Sequence, residues 1–124
     1  LLPPEDIKLL TEVGFLASAR ADVRRAETVF GALEQLRPDA AFPYVGAATA
    51  LLNAGRAEEA VAALDRGLAA DGQRDAGELQ AFRGLALQLA GRASESVRAM
   101  RAAGDTRLAR AMLGELSGDN TKET

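Results

Sequence analysis

The sequence predicts an all-α chain built from short helical hairpins, and three observations point there. Apolar residues recur every three to four positions along nearly the whole length, the signature of amphipathic helices. The composition is 48% hydrophobic but only 4% aromatic, and the four prolines stand at positions 3, 4, 38 and 43, leaving 44–124 without one. A core made mainly of Leu, Val and Ala, with Ala the best helix former, suits closely packed helices. Finally, the stretch NAGRAEEAVAALDRGL at 53–68 is followed 36 positions later by LAGRASESVRAMRAAG, so one turn and helix is written twice.

Seven helices follow in order. The first begins after Pro3-Pro4-Glu5-Asp6, a proline-led acidic start that suits a helix N-terminus, and puts Ile7, Leu10, Val13 and Gly14 on one face. Asp22 caps the second, whose inner stripe is Val23, Ala26, Val29, Phe30, Leu33 and Leu36. It stops at Arg37-Pro38 because the residue before proline disfavours the helical region. The third spans 41–53 with Tyr44, Ala47, Ala48 and Leu51 inward, and Asn53-Ala54-Gly55 ends it through a left-handed glycine. The fourth spans 57–70 with Ala60, Val61, Leu64 and Leu68 inward, before DGQRDAG, the longest loop signal in the chain. The fifth covers 78–90 and closes at Gly91. The sixth runs from Ser94, a candidate N-cap, to about 103. After Gly104-Asp105 a seventh carries Leu108, Met112, Leu113 and Leu116. The segment SGDNTKET, 117–124, lacks apolar content and reads as a flexible tail.

The repeat has a period. Ala26 and Ala60 are 34 residues apart, as are Phe30 and Leu64, Gly14 and Ala48, and Leu10 and Tyr44, while the third copy arrives at 36, with the 71–77 loop as the place of insertion. In each copy a small residue of the first helix (Gly14, Ala48, Gly84) meets a small one of the second (Ala26, Ala60, Ser96). A larger residue (Phe30, Leu64, Met100) fills the space toward the next copy. Neither helix can bury its apolar face alone, so such hairpins stack. This gives one domain over 1–116, with units at about 7–40, 41–74 and 77–104, an end helix over 105–116 and the tail beyond.

The run Tyr44…Ala47-Ala48…Leu51…Gly55…Ala60…Leu64 resembles the tetratricopeptide (TPR) consensus, with Gly67 near a position for a small residue and Pro38 at the end of the first unit. The third unit departs from that pattern at Arg83 and Ser96. The resemblance implies a right-handed superhelical stack of about three helix-turn-helix units with a C-terminal capping helix. The stretch AETVFGALEQLRPDAAFPYVGAATALLNAGRAEEAV is also similar to the first-to-second-repeat segment of the small TPR chaperones of bacterial type III secretion. That resemblance covers about 7–103. It implies a non-enzymatic cytoplasmic chaperone whose partner is a secreted translocator or needle-type subunit.

Composition narrows the chemistry. A net charge of −3 argues against nucleic acid as a partner, which calls for a concentrated basic face. With no Cys and no His, the commonest metal ligand, the usual general base and the thiolate nucleophile are all missing. No catalytic residue, cofactor or metal site is expected. Glu58-Glu59 fit a helix first turn, where they complement the dipole, and Arg24-Arg25, Arg98 and Arg101 read as solvated outer faces. The Gly-Arg steps at 55–56 and 91–92 read as a cap plus a first-turn residue, not a phosphate loop, because no strand precedes them. Ser94 and Ser96 have no base to activate them. No apolar run approaches a membrane span, and the start shows no charged region with a cleavage site, so a soluble, cytoplasmic protein is the expectation. Richness in Ala, Gly and Arg with only two lysines points to a GC-rich bacterial genome.

What remains is a surface. In the TPR register, the side of each first helix turned toward the concave face carries Lys8, Thr11, Phe15 and Ser18, then Phe42, Val45, Thr49, Leu52 and Asn53, then Glu78, Ala81, Leu85, Gln88 and Leu89. TPR proteins that grip a terminal carboxylate place Lys and Asn at the equivalents of Thr11, Phe15, Val45 and Thr49, and this chain lacks them. The expected protein-binding groove is therefore apolar, formed by Phe15, Phe42, Val45, Thr49, Leu52, Ala81 and Leu85. It suits an extended or helical segment with apolar anchors. A second reading gives the same apolar face to self-association, as a homodimer or as a scaffold or adaptor subunit of a larger assembly.

Overall fold

The computed structural model describes residues 2–116, so the expected tail at 117–124 lies outside the described residues. Among these the regular structure is entirely helical: α1 Pro4–Ala19, α2 Val23–Leu36, α3 Phe42–Asn53, α4 Ala57–Ala69, α5 Ala76–Leu89, α6 Ala93–Ala102 and α7 Arg107–Leu116. Each helix packs on the next. The odd-numbered ones also pack on one another in file, α1 on α3, α3 on α5 and α5 on α7, whereas the backbones of α2, α4 and α6 stay apart and are bridged by the side-chain ion pairs Arg66–Glu34 and Arg92–Glu58. The hairpins thus stand side by side, with odd helices in one layer and α2, α4 and α6 in the other.

The turns that make the hairpins share one device. Gly55 and Gly91 adopt φ of 78° and 82°, and the following amides of Arg56 and Arg92 reach back to the carbonyls of Leu51 (2.8 Å) and Leu87 (2.9 Å). A left-handed residue of this kind turns the chain and satisfies carbonyls left over at the helix end. The first hairpin makes the same turn at Ala21, φ 57°, with the Asp22 amide on the Ala17 carbonyl at 2.9 Å.

The next residue opens the following helix. Asp22 caps α2 as expected, its carboxylate accepting from the Arg25 amide at 3.3 Å. Arg56 and Arg92, expected in the first turn, are instead the N-cap residues of α4 and α6. Each grips a glutamate three residues on through two hydrogen bonds, Arg56 to Glu59 at 2.8 and 2.6 Å and Arg92 to Glu95 at 2.8 Å twice. Ser94 lies inside α6 and does not cap it.

Close approach of the helices follows from the small residues. A Cβ on Gly14 would stand 2.7 Å from Cζ of Phe30, and one on Gly84 2.7 Å from Cε of Met100. Ala26, Ala60 and Ser96 are fully buried, as are Phe30, Leu64 and Met100. Two buried hydroxyls tie helices together: Ser18 donates to the Gly46 carbonyl and Ser96 to that of Gly84, each at 2.7 Å.

The core falls into three clusters along the file. One joins α1, α2 and α3 around Phe30 and Leu33, a central one joins α3, α4 and α5 around Leu51, Leu64 and Leu87, and the last seats α7 by Ala109 against Ala81 and Met100. Two residues expected to face inward do not: Val13 is 47% exposed and Leu36 37%. The reason for Val13 is its place at the end of the file. Its counterpart 34 residues on, Ala47, is covered by Phe30 and Leu33 of α2, and no described helix plays that part over α1.

The loop between α4 and α5 is a tie, not a slack linker. The side-chain amide nitrogen of Gln73 donates to the carbonyls of Pro38, Ala40 and Gly67 at 3.1–3.3 Å. The Arg74 amide donates to the Asp39 carbonyl at 2.9 Å. Asp75, at the N-cap of α5, turns its carboxylate to the Ala41 amide at the start of α3, 3.2 Å away.

Candidate functional site

The third helix shows best which surface the fold leaves open. Of its 12 residues, Pro43 to Ala48, Ala50 and Leu51 are buried, because α1, α2, α4 and α5 all pack on it. Phe42, Thr49 and Leu52 keep part of their surface. Together with Val45 these stand at positions i, i+3, i+7 and i+10, a single row along the helix. The Thr49 hydroxyl donates to the Val45 carbonyl at 2.7 Å, as Thr11 does to Ile7 at 2.7 Å on α1, so both hydroxyls are spent within their own helices.

The seven expected groove residues separate into two groups. Phe15, Phe42, Thr49, Leu52 and Leu85 are part-buried and keep an outer face, whereas Val45 at 7% exposure and Ala81 at 1% are taken into the core. Phe15 packs edge-on against Phe30, with ring centroids 4.9 Å apart at 69°, in the cluster that also holds Phe42. Leu52 leans on the central cluster and Leu85 on the last one. Phe15 and Phe42 thus share the first packed floor while Leu52 and Leu85 rest on the second and third, and the three floors are held in file by α1, α3 and α5. Ser18, expected on this side, is wholly buried, and Asn53 ties α3 to α1 by donating to the Ser18 carbonyl at 2.9 Å.

Polar features beside the row are few. The side-chain oxygens of Gln80 and Gln88 on α5 are buried without a hydrogen-bond partner. Burial, with Asp75 nearby, pushes the Glu78 carboxyl up from its ordinary value. Burial also raises the Tyr44 phenol, which donates to the Pro38 carbonyl at 3.3 Å. Among the described residues no group of three acidic side chains converges to hold a metal ion, and no helix is long and apolar enough to cross a membrane.

A second surface was not expected. Leu9, Val13 and Leu16 stand 58%, 47% and 53% exposed on α1, at i, i+4 and i+7 and therefore on one stripe. Beside it a groove of about 600 Å³ opens between α1 and α2, floored by Val13, Leu16, Ala17 and Val29 and rimmed by Arg20, Arg24 and Arg25. The sequence signal was present, since three large apolar residues recur on one face. Helical periodicity masked it by grouping Val13 with Ile7, Leu10 and Gly14 on the inward face. Comparison with protein-family models finds none that matches the chain, and comparison with curated proteins finds no match either.

Proposed function

We propose that the chain is a non-enzymatic protein-binding domain of the tetratricopeptide kind, acting as a cytoplasmic chaperone that holds an apolar segment of a secreted client against α1, α3 and α5. The observation that carries this reading is the row Phe42–Val45–Thr49–Leu52. Phe42, Thr49 and Leu52 of this row keep an outer face on a helix whose other residues from Pro43 to Leu51 are buried, and the row's one hydroxyl is already satisfied. The 34-residue register, the shared left-handed turn and the side-by-side odd helices support a superhelical stack. Part-buried anchors on a rigid floor suit a segment that contributes large apolar side chains of its own.

Burying one such anchor contributes about 1.5–3 kcal/mol. Leu52→Glu with Leu85→Glu should therefore abolish recovery of an apolar secretion substrate that the wild-type chain retains in affinity capture from its host. Thr49→Arg, which leaves the core alone, should weaken the same complex while thermal unfolding stays unchanged. A client held equally well by the double variant and by Thr49→Arg would refute the site.

A further inference from the structure

The groove between α1 and α2 has a direction. The two helices run antiparallel, with Gly14 lying against Val29 and Phe30, so Val13 and Val29 stand at one end of the groove and the hairpin turn at the other. The floor is apolar, and the guanidinium rim of Arg20, Arg24 and Arg25 gathers at the turn end. Asp22 stands among these arginines, but its carboxylate is taken by Arg25, 2.8 Å from the guanidinium and 3.3 Å from the amide. The side chains of Arg20 and Arg24 make no ion pair among the described residues. We propose that this groove is a binding site for a single-chain anionic amphiphile, a long-chain carboxylate. Its head group meets Arg20 and Arg24, and its alkyl chain lies along the floor toward Val13.

Charge, polarity and size favour that occupant. In the next hairpin, 34 residues on, the positions of Arg24 and Arg25 hold Glu58 and Glu59, so the helical hairpin itself does not call for cations there. The positions of Val13 and Leu16 hold Ala47 and Ala50, sealed at 2% and 0% exposure under Phe30 and Leu33. No described helix supplies that cover over α1, and the groove is the space left. Its lining hydroxyl, on Thr28, already donates to the Arg24 carbonyl at 2.9 Å. An extended peptide pressed against this floor would leave its amides unpaired, a cost that an alkyl chain does not meet. A volume of about 600 Å³ suits a small molecule, and the floor from Val13 to Arg20 runs about 10 Å at the helical rise. A bilayer surface fits less well, because the acidic Glu5 and Glu12 stand one turn from Leu9 and Leu16 on the same helix. The row on α3 takes no part in the groove, so the two sites are independent.

A nuclear magnetic resonance titration of the isotope-labelled full chain with decanoate, kept below its micelle-forming concentration, reads the site directly. The amides of Val13, Leu16, Ala17 and Val29 should shift saturably while those of α5 to α7 stay in place. Dodecanoate, longer by two methylenes, should bind about tenfold more tightly. Decanol, the same chain without the charge, should bind about tenfold more weakly than decanoate. Arg20→Glu with Arg24→Glu should weaken decanoate at least as much, and Leu16→Asp should remove the saturable shifts. All three side chains are exposed, so thermal unfolding of the ligand-free variants should match the wild type. Decanol binding as tightly as decanoate would overturn the proposal, as would affinity unchanged in either variant or shifts centred on the α3 row. So would the absence of saturable shifts, whether the groove stays empty or a second copy fills it, and so would binding seen only on vesicles of anionic phospholipid.

Discussion

At the scale of a residue, Ala21 bears the clearest mark of the repeat. It holds φ 57° at the position where the later hairpins have Gly55 and Gly91, a conformation in which Cβ crowds the following carbonyl. Ala21→Gly should stabilise the fold, and Gly55→Ala should destabilise it, each by ~1 kcal/mol, read as opposite shifts of the urea midpoint. Glycines at 55 and 91 announce the turn in the sequence. Alanine does not, and only the 34-residue spacing from Gly55 would have located it. The same spacing made the buried small residues legible, since Ala26, Ala60 and Ser96 fall where helices touch. It could not separate Val45 from Thr49, because 7% exposure and a part-open side chain differ only in how closely the neighbouring helix leans.

At the scale of an element, helix starts were the least legible part. Arginine is a poor N-cap by its own chemistry, yet Arg56 and Arg92 serve there because the guanidinium binds a carboxylate of the first turn in bidentate fashion. Hydrogen bonds from Arg56 and Arg92 hold Glu59 and Glu95 below their ordinary carboxyl value. A carboxyl lowered in the folded chain favours folding above its unfolded value of 4.5 and loses that contribution as the pH falls through its folded value. Urea midpoints should thus drop on acidification, and Glu95→Gln should flatten the drop. Glu78 has the opposite sign, being raised by burial. Its contribution is complete below the unfolded value and fades as the pH rises through the folded one, so Glu78→Gln should gain stability relative to wild type toward neutral pH.

At the scale of the whole molecule, three core clusters in file make stability a matter of neighbours, as in other stacked hairpins. Among the described residues the cluster under α7 is the smallest, and Ala109 within it is completely buried. Ala109→Asp places an unpaired charge there and should cost ~3 kcal/mol. Hydrogen exchange should report the loss mainly in α5–α7, with α1–α3 protected as before. The helix count and the order of packing were readable from periodicity and turn residues alone. The two ends were not, because a repeat pattern predicts the same burial for every copy and is silent on which copy has no neighbour. Periodicity within α1 likewise puts Val13 inward, and the structure displays it.

The tie at Gln73 bears on the row it does not touch. Two extra residues between the second and third copies would ordinarily give a stack room to flex. Here Gln73 and Asp75 fasten that length to the start of α3, so the second and third hairpins keep one phase. Leu52 and Leu85 then act as two marks on a ruler whose gauge is set by an amide side chain outside the row; in the proposed complex, a client would bring its own anchors at that interval.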